Sequence, residues 1–95
     1  MTEITRRPGD VIVKSFDGYE ALTGYALIVV YESPDDYPGV YVARLFDVSK
    51  GAGVVPQNIV AIKPSLDEIR KLKPRQMIAR PRDAGDGACI VEMWM

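Results

Sequence analysis

Tyr25 to Val48 reads YALIVVYESPDDYPGVYVARLFDV, two apolar, β-branched runs on either side of a loop with two prolines, a glycine and three carboxylates. Val, Ile and Tyr suit a pleated, half-buried surface, whereas Pro, Asp and Gly interrupt a ladder. The stretch therefore predicts a β-hairpin with a long loop at the centre of a small sheet. In the first run, Tyr25, Leu27, Val29 and Tyr31 alternate with Ala26, Ile28 and Val30, so both faces are apolar. That pattern is expected of an interior strand covered on two sides. The second run, Val40 to Val48, is interrupted only by Arg44 and Asp47. A charge at Arg44 must reach solvent or find a carboxylate, because an unpaired buried charge is prohibitively costly.

Outward from the hairpin, Val11 to Lys14 reads as a short strand and Asn58 to Lys63 as a strong one. Asp17-Gly18 and Gly24 read as breaks, and Ser49 to Gly53 as a flexible connection. Residues 1–10 are expected to form a frayed arm ending in a Pro8-Gly9-Asp10 turn. A helix is expected over residues 65–73. Ser65 with Glu68 makes a capping box, Leu66, Ile69 and Leu72 form an apolar stripe, and Pro74 stops the winding. Met77-Ile78-Ala79 reads as a further short strand. Asp83 to Ala88 reads as a loop and Cys89 to Met95 as a terminal strand, with Ile90, Glu92 and Trp94 on one face.

The order of elements points to an α+β fold: a mostly antiparallel sheet of about four to six strands with one short helix packed on one face. An SH3-like, partly closed barrel plugged by the helix is the alternative. At 95 residues, with 47% hydrophobic and 26% charged side chains, the composition suits a single globular domain over residues 1–95. A chain of this size buries only roughly 60–68% of its unfolded surface, so the core is thin. The longest apolar run, Tyr25 to Tyr31, is far shorter than the roughly 20 residues of a membrane helix. Val11 to Val13 is too short for the core of a signal peptide. With a single cysteine as well, the expectation is a cytoplasmic protein without a membrane role.

Several chemistries are disfavoured by what is absent. There is no histidine, which removes His-based triads, His metal ligands and the side chain best suited to proton transfer near neutrality. Cys89 then lacks the usual activating base and is read as a buried filler. Zinc binding needs several sulfur or nitrogen ligands and is not expected. Gly51-Ala52-Gly53 joins two strands, unlike a phosphate loop that opens a helix. Asp83 and Asp86 do not follow the spacing of a calcium loop and read as loop residues. No catalytic residue, metal or cofactor is assigned.

Two stretches remain as candidate sites. Asp35, Asp36 and Tyr37, with Arg44 nearby in sequence, could form a recognition loop. A small enzyme using Asp, Tyr and Arg chemistry would need these groups to converge, with Tyr41, in a cleft. Tyr19, Tyr25, Tyr31 and Tyr37 recur every six residues and read as a rim against the core. The second stretch is basic. Six of the chain's twelve cations, Arg70, Lys71, Lys73, Arg75, Arg80 and Arg82, fall in one run that holds none of its thirteen acids. Such a run could contact nucleic acid or another anion. The net charge of −1, the isoelectric point near 5.3 and the lack of aromatics between Phe46 and Trp94 weigh against nucleic acid.

From Tyr31 onward the chain resembles a set of short, uncharacterised bacterial proteins. The residues responsible are Asp36-Tyr37-Pro38-Gly39, Val42-Ala43-Arg44, Ser65-Leu66-Asp67-Glu68-Ile69-Arg70 and Ile90-Val91-Glu92-Met93-Trp94. The resemblance implies no activity and no catalytic residues, and the opening segment falls outside it. The function expected is a non-catalytic interaction module whose partner is itself, as a homodimer, or another protein. Apolar sheet surface or an open strand edge would supply the contact.

Overall fold

The structure, a computed structural model, describes residues 9–18, 25–48, 55–82 and 89–95. Among the described residues six strands and one helix follow one another as β1 (Val11–Ile12), β2 (Ala26–Glu32), β3 (Tyr41–Asp47), β4 (Val55–Lys63), α1 (Leu66–Arg70), β5 (Ala79–Pro81) and β6 (Ile90–Trp94). They form one open sheet in the order β1-β4-β3-β2-β6-β5. Every pairing is antiparallel except β1 with β4. This is the α+β arrangement, and the sheet does not close into the alternative barrel. Among the described residues no helix is long and apolar enough to cross a membrane.

The hairpin is central. β2 pairs with β3 without a break from Ala26↔Asp47 to Glu32↔Tyr41, and β6 lies on its other side. Ile28, Val30, Ala43, Leu45, Ala61 and Trp94 point to one face and make the main core with Phe16, Ile69 and Met77. Trp94 is fully buried, its ring edge-on to Phe16 at 6.5 Å and 84°. Val29, Val42, Arg44, Val60 and Ile62 lie on the opposite face by alternation. β4 carries a bulge opposite Leu45, where the register slips between Arg44 and Phe46. Asn58 sits there at φ 59°, a conformation that asparagine tolerates better than most residues.

The helix is shorter than expected: five residues in place of the span 65–73. Its start is as read, with the Ser65 hydroxyl accepting from the Glu68 N–H at 3.3 Å and donating to Glu68 Oε2 at 3.1 Å. Its end is earlier because Leu72 and Lys73 donate to Ile69 and Arg70, a tightening to i→i+3 bonds. Pro74 disfavours helical backbone at the residue before it, which unwinds the last turn. The strand expected at Met77–Ala79 lies two residues further on. Met77 is instead buried in the core, and Ile78 exchanges two backbone hydrogen bonds with Met95. Pro81 fits inside β5 because, by alternation from that pair, its nitrogen faces away from β6. Trp94 is buried in the core, whereas Met95 is paired with Ile78 but 38% exposed. Ser49–Gly53, Tyr19 and residues 83–88 lie outside the described residues.

Candidate functional site

Arg44 does find a carboxylate. Its guanidinium clamps Asp10 with two parallel bonds, Nη1 to Oδ1 at 2.8 Å and Nη2 to Oδ2 at 2.9 Å. Nη2 also donates to Asp36 Oδ2 at 3.2 Å, and the Tyr37 hydroxyl donates to Asp10 Oδ2 at 2.8 Å. Asp10 is 1% exposed, Tyr37 0% and Arg44 6%, so the fork lies out of water. Asp10 is thus an anchored residue and no part of a frayed arm, and its burial could not be seen from the polar residues around it.

The loop between β2 and β3 builds this cluster. Ser33 opens it in the left-handed region at φ 47°, with its N–H donating to the Val40 carbonyl at 2.8 Å. The Ser33 hydroxyl accepts from the Gly39 N–H at 2.9 Å. Tyr37 donates its N–H to the Pro34 carbonyl at 3.0 Å, closing a tight turn over Asp35 and Asp36. The turn folds the loop onto the sheet face opposite α1, where Tyr37 packs with Val42 and Val60. Asp36 turns inward to Arg44, while Asp35 is exposed.

Of the recognition loop expected from the sequence, Asp36, Tyr37 and Arg44 are therefore joined, but as an internal clasp. Each cation–carboxylate bond within it stabilises the charged form, and the Asp10 carboxylate raises the Arg44 pKa further above its ordinary value against the opposing effect of burial. A guanidinium that stays charged is no proton donor or acceptor for catalysis. Tyr41 faces the other side of the sheet and packs on the main core, so these groups do not converge with it. Tyr31, half-buried at the edge of the clasp, has its phenol pKa raised above 10.0 chiefly by desolvation. Below pH 10 that shift leaves stability unchanged, since the phenol is neutral folded or unfolded. As pH rises past 10 the unfolded chain ionises first, so stability falls until the folded phenol ionises too. Tyr31→Phe is expected to flatten that alkaline decline, read as urea midpoints between pH 9 and pH 12.

The tyrosine rim is not realised as a series. Tyr25 is 58% exposed, Tyr31 is half-buried and Tyr37 is entirely buried as a core residue. Cys89 is exposed, contrary to its reading as a buried filler. It lies on the turn before β6 and contributes its carbonyl to the Glu32 N–H at 2.7 Å. That position keeps it out of the alternation that sends Glu92 and Trp94 inward.

The basic run divides. Arg70 donates through Nε and Nη2 to Glu92 Oε1 at 3.0 and 2.7 Å, and the Trp94 indole donates to Glu92 Oε2 at 2.7 Å. Glu92, 6% exposed, thus ties α1 to β6, and its carboxylate raises the Arg70 pKa. Lys73 Nζ donates to the carbonyls of Met77 at 2.7 Å and Pro74 at 3.4 Å. Lys71, Arg75, Arg80 and Arg82 are exposed and make no ion pair among the described residues. The sequence signal for the Glu92 tie was an acid on the apolar face of a strand, opposite in kind to Arg44. Among the described residues no group of three His, Cys, Asp or Glu side chains could hold a metal. In comparisons with known proteins, the chain matches no family model, no curated protein and no solved structure.

Proposed function

We propose that the protein is a non-catalytic interaction module that associates with a second copy of itself through the β1 edge of its sheet. The observation that carries this reading is a difference between the two edges. At β5, Pro81 offers no N–H to a newcomer, and Arg80 and Arg82 place charge along the strand. Proline, cations and brevity are devices that keep an edge from pairing. β1 shares only the brevity. Its two residues are β-branched and apolar, with Val11 46% and Ile12 42% exposed.

The backbone supports the same reading. Val13 donates its N–H to the Val60 carbonyl at 2.8 Å, and Ile12 is in register with Val60. A parallel ladder with those bonds turns the N–H and C=O of Ile12 away from β4. Two copies related by a two-fold axis would exchange that pair of bonds and shield Val11 and Ile12 on either face. Few residues meet in such a contact, so the association is weak and concentration-dependent. Sedimentation equilibrium is expected to show a monomer–dimer exchange. Ile12→Pro copies onto β1 the device present at β5 and is expected to leave a monomer with an unchanged melting temperature. A strict monomer of the unaltered chain at high concentration would rule the reading out.

A further inference from the structure

A separate surface lies on the sheet face opposite α1, at the β5–β6 corner. Ile78 pairs with Met95 through two backbone bonds, Arg80 lies opposite Met93, and Met93 lies opposite Val29. These side chains therefore share one face, and Arg82 continues the row by alternation. Tyr25, two residues before Leu27, falls on the same face. Ile78 is 63% exposed, Tyr25 58% and Met95 38%. Among the described residues, the carboxylates that pack on this face, Asp10 and Asp36, both bond to Arg44 near the opposite end. Arg80 and Arg82 have no ion pair among the described residues. Among the described residues the corner is thus apolar and bordered by positive charge that no carboxylate pairs.

We infer that this corner docks an acidic, apolar segment of another protein, its aliphatic side chains against Ile78, Met93 and Met95 and its carboxylates on Arg80 and Arg82. Charge complementarity selects that occupant. A second copy would bring the same arginines, and a self-complementary contact would gather the guanidiniums of both copies without a carboxylate. A nucleic-acid strand would satisfy the arginines but leave Ile78 and Met95 facing phosphate and sugar. The methionines are unbranched and adapt to differently shaped aliphatic groups. Because Pro81 withholds an N–H from the edge, the segment lies on the face and does not extend the sheet.

The test is fluorescence anisotropy with labelled synthetic probes on the full chain. One peptide alternates Glu with Leu; a second replaces Leu by Ser, a third replaces Glu by Lys, and the fourth probe is a single-stranded oligothymidylate. The Glu/Leu peptide alone is expected to bind, more weakly as salt is added. Arg80→Glu/Arg82→Glu and Ile78→Ser are each expected to weaken it at least ~10-fold, about 1.4 kcal/mol, with melting temperatures unchanged. Equal binding of the Ser peptide or the oligothymidylate would overturn the inference in favour of a general anion surface. No binding of the Glu/Leu peptide, or full binding by the variants, would overturn it outright. Ile12→Pro is expected to bind the peptide as tightly as the parent, so failure of self-association and failure of docking are read separately.

Discussion

Arg44→Met is expected to lower the unfolding free energy by about 3–5 kcal/mol in urea titration, a large share of the ~5–15 kcal/mol typical of a domain. The substitution keeps most of the side-chain volume but removes both bonds of the fork to Asp10, which is 1% exposed. The Tyr37 hydroxyl would still donate to that buried carboxylate, but the guanidinium fork would be gone. Most of the loss is the cost of taking the Arg44 cation away from a buried carboxylate, not the intrinsic worth of the pair. Asp10→Asn in the Arg44→Met background is therefore expected to recover part of the stability, since a neutral amide can still accept from Tyr37. A cost below about 1 kcal/mol for Arg44→Met would mean that the pair behaves as an exposed one and that the clasp is not out of water.

Trp94→Ala is expected to cost a similar ~3–5 kcal/mol, for a different reason. The indole is fully buried against Phe16 and the strands of the hairpin, so truncation opens a cavity in a core with little surplus. Trp94→Phe separates packing from hydrogen bonding. It keeps a ring beside Phe16 but removes the indole N–H that donates to Glu92 Oε2 at 2.7 Å. A cost of about 1–2 kcal/mol is expected, because Arg70 still holds the other oxygen. Far-UV circular dichroism during thermal unfolding reads both variants without relying on tryptophan emission. If Trp94→Ala melted within a few degrees of the parent, the terminal strand would not be a core element.

Both of these residues could be singled out in the sequence, but neither could be given its partner. Trp94 alternates with Glu92 in a short β-rich run, which is enough to place it on a sheet face. Arg44 interrupts an apolar strand, which demands a carboxylate but does not say which. Asp10 lies among polar residues next to Gly9, and nothing local marks it as buried. Its role arises from pairing β1 with β4, a contact between segments far apart in the chain. The same holds for Arg70, whose place in a run of cations concealed its bond to Glu92 on another element. Alternation and capping were legible because they are local. Helix length and the place of β5 were not, since Pro74 shortens the first and the pairing with Met95 positions the second.

The strand order carries a kinetic consequence. β2, β3 and β4 follow one another as a meander and can assemble by closing short loops. β6 joins β2 by bringing Trp94 to Ile28, and β1 joins β4 by bringing Val11 to Ile59. Each of those closures sacrifices the freedom of a long intervening segment before any contact repays it. Refolding is accordingly placed in the slow, millisecond-to-second range of high-contact-order domains, with the meander formed first and the flanking strands added to a template already in place.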